Sequence, residues 1–126
     1  MPSRFAGHVP VSQAAMTQNP GGGDNVIKHI VMWDVRGETS EQKQEAASLV
    51  KASFEQLRGQ VPGLVHLEVG IDFSNESHAC DVVLYSEFKD RASLDAYARD
   101  PAHLKVRREL EGVRIARHQV DYVHEK

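Results

Sequence analysis

The sequence predicts an α+β fold of order βαββαβ, and three observations lead there. Residues 26–35 alternate with period two yet are largely apolar on both faces, as suits a strand in the middle of a sheet. Two helix-period segments are separated by two further alternating runs, so the intervening strands form a hairpin. A last alternating run closes the chain. This is the split βαβ order of a ferredoxin-like fold, whose right-handed crossovers give a four-stranded antiparallel sheet with helices on one face.

Residues 1–24, rich in Gly, Pro, Ser, Gln and Asn and ending in Gly21-Gly22-Gly23-Asp24, show no periodicity and read as a flexible N-terminal arm, which leaves 25–124 as the domain. In the first strand, Ile27, His29, Val31, Trp33 and Val35 share one face, and Lys28, Ile30, Met32 and Asp34 share the other. Thr39 with Gln42 three residues on has the form of a capping box, and Ala46, Val50, Phe54, Leu57 and Val61 recur at helical spacing until Pro62-Gly63. Val65, Leu67, Val69 and Ile71 then alternate with His66, Glu68 and Gly70, a half-polar pattern suited to a sheet edge. After the polar loop 74–78, Val82, Leu84 and Phe88 alternate with Asp81, Val83, Tyr85 and Glu87 as the third strand.

Asp90 suits the N-cap of a second helix that carries Leu94 and Tyr97 on one face. Pro101 lacks a backbone N–H and disfavours helix at the residue before it, so this helix breaks there. Asp100 then serves as N-cap and Pro101 as first residue of a new segment, continued by Leu104, Val106 and Leu110. Residues 113–123 form the fourth strand. With helices on one side only, the apolar positions on the other side of the first strand stay exposed unless a second copy covers them, so a homodimer through the sheet faces is expected.

Composition narrows the function. At 126 residues, 40% hydrophobic and 26% charged, the chain holds one domain and a tail. A net charge of −3 with interspersed signs argues against nucleic acid or an anionic membrane as partner. The one cysteine, Cys80, forms no internal disulfide or Cys-based zinc site, fits a reducing compartment, and reads as a buried strand residue. No apolar run reaches the ~20 residues of a membrane span and no secretory h-region is present, so a cytoplasmic protein is expected. The seven histidines include no pair at i, i+4, and neither a metal nor a cofactor is expected.

The candidate chemistry sits at the helix break. Tyr97 and His103 flank it, and the first turn of the new helix is a partly positive terminus that lowers the basicity of His103. A neutral imidazole beside a phenol is a serviceable acid/base pair if both face a pocket. His29 shares the face of Ile27, Val31 and Trp33 and lies towards either a cavity or the core. Against this stand plainer roles: His103 completing a helix turn, Tyr97 and Trp33 as core, and His29 as a hydrogen-bonded structural residue. Lys105, Arg107 and Arg108 read as a solvated helix face that could also draw a carboxylate to the pocket mouth.

Lys28-His29-Ile30-Val31-Met32, Val61-Pro62-Gly63, Leu67-Glu68-Val69-Gly70, Ser86-Glu87-Phe88, Tyr97, Pro101-Ala102-His103 and Val120-Asp121-Tyr122 together resemble the stress-responsive α/β barrel (Dabb) family over residues 26–123. The resemblance implies a dimeric α+β barrel. The family includes olivetolic acid cyclase, which closes a polyketide by cofactor-free aldol condensation, and its catalytic histidine, helical tyrosine and first-strand histidine correspond to His103, Tyr97 and His29. In that scheme His103 removes a proton alpha to a carbonyl, Tyr97 holds the carbonyl or the imidazole through its hydroxyl, and His29 assists in positioning. Asp100 stands where members commonly have a histidine, and Ala46, Ala47 and Val50 stand where the cyclase has pocket aromatics, so a different ligand, or a cavity filled by Trp33, is implied. The expected ligand is a small apolar or carbonyl-containing molecule. Two further classes stay open: a noncatalytic stress-linked dimer, and a cofactor-free monooxygenase with Trp33 at the pocket.

Overall fold

A computed structural model describes residues 25–125. Along them run β1 (Ile27–Val35), α1 (Ser40–Glu55), β2 (Leu64–Ile71), β3 (Val82–Phe88), α2 (Arg91–Tyr97), α3 (Pro101–Glu109) and β4 (Arg114–Val123). The sheet is antiparallel throughout in the order β2-β3-β1-β4, so β1 is central and β2 and β4 are edges, as the alternation of β1 and β2 implies. The expected arm, residues 1–24, lies outside the described residues.

Period-two alternation sorts the β1 side chains cleanly. Ile27, Val31, Trp33 and Val35 are buried with Leu84 and Phe88 of β3 and Leu67 and Val69 of β2. Ala47, Val50 and Phe54 of α1, with Val106 and Leu110 from the second crossover, close the core over that face. The opposite face stays open: Ile30 is flanked by Tyr85 and Val120 in the ladder, and Met32, Val120 and Tyr122 are 37%, 50% and 45% exposed.

α1 begins at the expected capping box. The Thr39 hydroxyl accepts from the Gln42 N–H at 3.1 Å, while the Gln42 side chain accepts from the Thr39 N–H at 3.3 Å. It ends at Glu55, earlier than the spacing through Val61 suggests. Tighter three-residue turns from Phe54 to Leu57 and from Leu57 to Gln60 replace helical bonding, and Gly59 takes a left-handed φ of 77° that no helix accommodates. Leu57 and Val61 are buried all the same, from a turn rather than a helix.

α1 and the turn that follows it also guard the β2 edge. Lys51 Nζ donates to the Val69 carbonyl at 2.8 Å, and Arg58 donates twice to the Leu67 carbonyl at 3.1 and 2.8 Å, occupying carbonyls that could template another strand. Cys80 is neither in a strand nor fully buried. It precedes Asp81, whose N–H is drawn to the Trp33 carbonyl at 2.9 Å and whose carboxylate accepts from the Val35 N–H and from Lys43. No helix among the described residues is long and apolar enough to cross a membrane.

Candidate active site

The helix break builds its own acceptor. In an uninterrupted helix the carbonyl of Tyr97 would accept from the N–H of residue 101, and Pro101 has none. That carbonyl instead takes the Asp100 N–H at 3.1 Å and the Nδ1 of His103 at 3.0 Å. A carbonyl only accepts, so Nδ1 carries the proton and the lone pair of a neutral imidazole sits on Nε2. Asp100 fixes the new turn as expected, its carboxylate accepting from the Ala102 N–H at 2.8 Å.

The rings follow. Tyr97 and His103 stack at 3.9 Å between centroids and 17° between planes, and Tyr97 also meets His29 edge-on at 5.9 Å. The Nδ1 of His29 lies 2.5 Å from Asp121 Oδ1 across the β1–β4 ladder, where the two residues are direct register partners. Ser86 Oγ donates to the His29 carbonyl at 3.1 Å, so the strand beneath this imidazole is held from its other side. His29 and Tyr97 are each about 5% exposed, and the Nε2 of either histidine has no protein hydrogen-bond partner among the described residues.

All three sequence-predicted site residues line one open cavity of about 970 Å³ between the sheet and α2–α3. Trp33 does not fill it. Trp33 stacks on Phe54 at 5.1 Å and the pair forms a wall. Phe54 is the α1 residue at the cavity, whereas Ala47 and Val50 are core. The His103 imidazole is held by the Tyr97 backbone carbonyl, and the Tyr97 hydroxyl has no protein hydrogen-bond partner among the described residues, so of the two roles the resemblance implied for it, contact with a ligand carbonyl is the one this geometry leaves open.

Electrostatics fixes the protonation states. Burial, then the charges of Arg107, Arg114 and His29, push the His103 imidazole below its ordinary range, outweighing the bond to the Tyr97 carbonyl that favours the cation. The direction is the one expected from the helix terminus, but the dominant cause is burial. Burial likewise pushes the Tyr97 phenol well above its ordinary range, so at neutral pH it is a donor.

The sequence did not reveal Asp121, Phe54 or the arginines of β4. Arg117, Gln119 and Asp121 do share a face at strand spacing, which was a readable signal. Arg114 was not readable, because a bulge between Asp34 and Val35 leaves Ile115 unpaired and turns Arg114 onto the face of Arg117. Its guanidinium lies 4.9 Å above the Trp33 ring and 5.5 Å from that of Phe54. Arg107, expected on a solvated face, also lines the cavity. Among the described residues no group of three His, Cys, Asp or Glu side chains could hold a metal ion.

A four-stranded antiparallel sheet, a broken second crossover and a cavity between them define a ferredoxin-like α+β domain. The chain belongs to the stress responsive A/B barrel domain family, whose profile matches residues 27–124. Among solved structures it is similar to a dimeric protein of ferredoxin-like fold from Bacteroides fragilis, 28% identical over 79% of this chain and 96% of that one, with a TM-score of 0.69. A Dabb family protein from Mesorhizobium loti shares the fold at 17% identity and a TM-score of 0.65, over 81% of this chain and 99% of that one. So does a hydroxynitrile lyase from Passiflora edulis at 16% identity and a TM-score of 0.68, over 82% and 96%. No curated protein sequence matches the chain.

Proposed function

We propose that the cavity is a small-molecule site for cofactor-independent proton transfer of the lyase or cyclase kind, with His103 as general base. The observation that carries this reading is the Nδ1 bond of His103 to the Tyr97 carbonyl, which presents a neutral imidazole with its basic nitrogen unpaired in a cavity. His103 Nε2 takes a proton from the carbon next to a carbonyl, and the enolate oxygen accepts a hydrogen bond from the Tyr97 hydroxyl. The enolate carbon then attacks a second carbonyl of the same molecule, and the new alkoxide takes the proton back from the imidazolium. His29, oriented by Asp121, is a positioning residue on the cavity floor. The hydroxynitrile lyase of Passiflora edulis shows that this fold carries lyase chemistry elsewhere; the residues of this chain supply the mechanism. The working unit is a homodimer formed through the open sheet face, in keeping with the dimeric Bacteroides fragilis relative.

A substrate-independent test is hydrogen–deuterium exchange at the methyl group of 2-acetylnaphthalene in D2O, followed by NMR. The protein should accelerate exchange over buffer, and His103→Ala should remove about 10²–10⁴-fold of that rate with the fold intact. Exchange at the buffer rate, or equal rates in protein and variant, would overturn the proposal.

A further inference from the structure

The cavity reverses the charge of the molecule around it. Arg99, Arg107, Arg114 and Arg117 line it against two carboxylates, Asp95 and Asp121, in a chain of net charge −3. Asp121 is already engaged by His29 and by Gln119 Nε2 at 2.8 Å. None of the ion pairs among the described residues includes a cavity arginine; the one pair inside the cavity is His29 with Asp121. Arg114 is half-buried over the Trp33 and Phe54 rings, and burial together with the like charges of Arg107 and Arg117 disfavours its cation. A guanidinium withdrawn from water and crowded by two others costs free energy that an anion in the cavity would return.

We propose that the ligand of this site is an organic carboxylate with a flat apolar body, its carboxylate meeting Arg114 with Arg107 and Arg117, and its body against Tyr97 and His103. The guanidinium fork matches a carboxylate with two parallel hydrogen bonds, and an aromatic wall suits an apolar body. This assignment rests on the reading of the cavity as a small-molecule site and adds the class of molecule. Neutralising the arginines also relieves their pressure on His103, so a bound carboxylate strengthens the base as it arrives.

The test compares 2-naphthoate with its neutral isostere 2-naphthamide by calorimetry, and maps both by the NMR signals of Tyr97 and His103. The carboxylate should bind at least about tenfold more tightly, with the difference shrinking as salt rises. Arg114→Gln should erase that preference, because the carboxylate loses a charged partner and the amide only a neutral hydrogen bond. If Arg114→Gln fails to fold, Arg117→Gln and Arg107→Gln, at exposed positions, should each reduce the preference. Equal binding of the two probes with perturbed Tyr97 and His103 signals would overturn the carboxylate assignment and leave the small-molecule site standing. Binding of neither probe would overturn both.

Discussion

His103 shows how one residue's chemistry follows from its neighbour's missing atom. Because Pro101 has no N–H, the Tyr97 carbonyl is open to the imidazole, and the tautomer is set by that bond. The depressed basicity of His103 has a stability consequence of definite sign. The folded state releases its proton more readily than the unfolded chain, so between the lowered folded pKa and the unfolded value near 6.5 the unfolded state binds more protons, and stability rises with pH. The contribution is fully present above the unfolded value and is lost as pH falls through the folded one. Thermal melts should therefore show His103→Gln losing less stability than the parent chain as pH drops through that window. Equal losses would mean that the imidazole is not withdrawn from water.

At the scale of elements, the joint between β2 and α2 is the most demanding. Gly63 has a left-handed φ of 83°, and a Cβ there would lie 2.2 Å from Ser93 Oγ and 2.4 Å from Ser93 Cβ. Its carbonyl accepts from the Lys89 N–H at 2.9 Å, tying the start of β2 to the N-terminus of α2. Gly59 has a similar φ of 77° but nothing within 4 Å of its would-be Cβ. Gly63→Ala should thus cost more than about 2 kcal/mol, backbone strain plus clash, and Gly59→Ala about 1 kcal/mol, by denaturant unfolding. Similar losses at both sites would contradict the close approach of α2.

The same scale explains what could be read from sequence alone. The central place of β1, the capping box at Thr39, the break at Pro101 and the meeting of Tyr97 with His103 are local matters, fixed by period, caps and a missing donor. The partnership of His29 with Asp121 spans 92 positions and depends on strand register. Arg114 depends on a bulge that inverts the apparent alternation of β4, and the early end of α1 on a turn that keeps burying Leu57 and Val61. Long-range register and local irregularity were the parts that periodicity could not carry.

For the molecule as a whole, the open sheet face decides the assembly. Ile30, Met32, Val83, Tyr85, Val120 and Tyr122 lie on it across three adjacent strands, with Lys28 5.8 Å from the Tyr122 ring centre. Covering this apolar surface with a second copy buries it twice over, and one buried charge near the middle would oppose itself across the two-fold axis. Sedimentation at tens of micromolar should show a dimer, and Val120→Glu should give a folded single subunit. A parent chain that sediments as a folded single subunit would remove the dimer from the account and leave the cavity, which lies on the helix side, in place.

The pH profile of the exchange reaction bears most directly on the claim that a neutral His103 is the base. The rate of deuterium uptake by 2-acetylnaphthalene, after subtraction of buffer, should be level around pH 7 and above and fall as pH drops through a value below the ordinary histidine range, with no such step in His103→Ala. A rate that climbs steadily with hydroxide, or a step that survives in the variant, would contradict it.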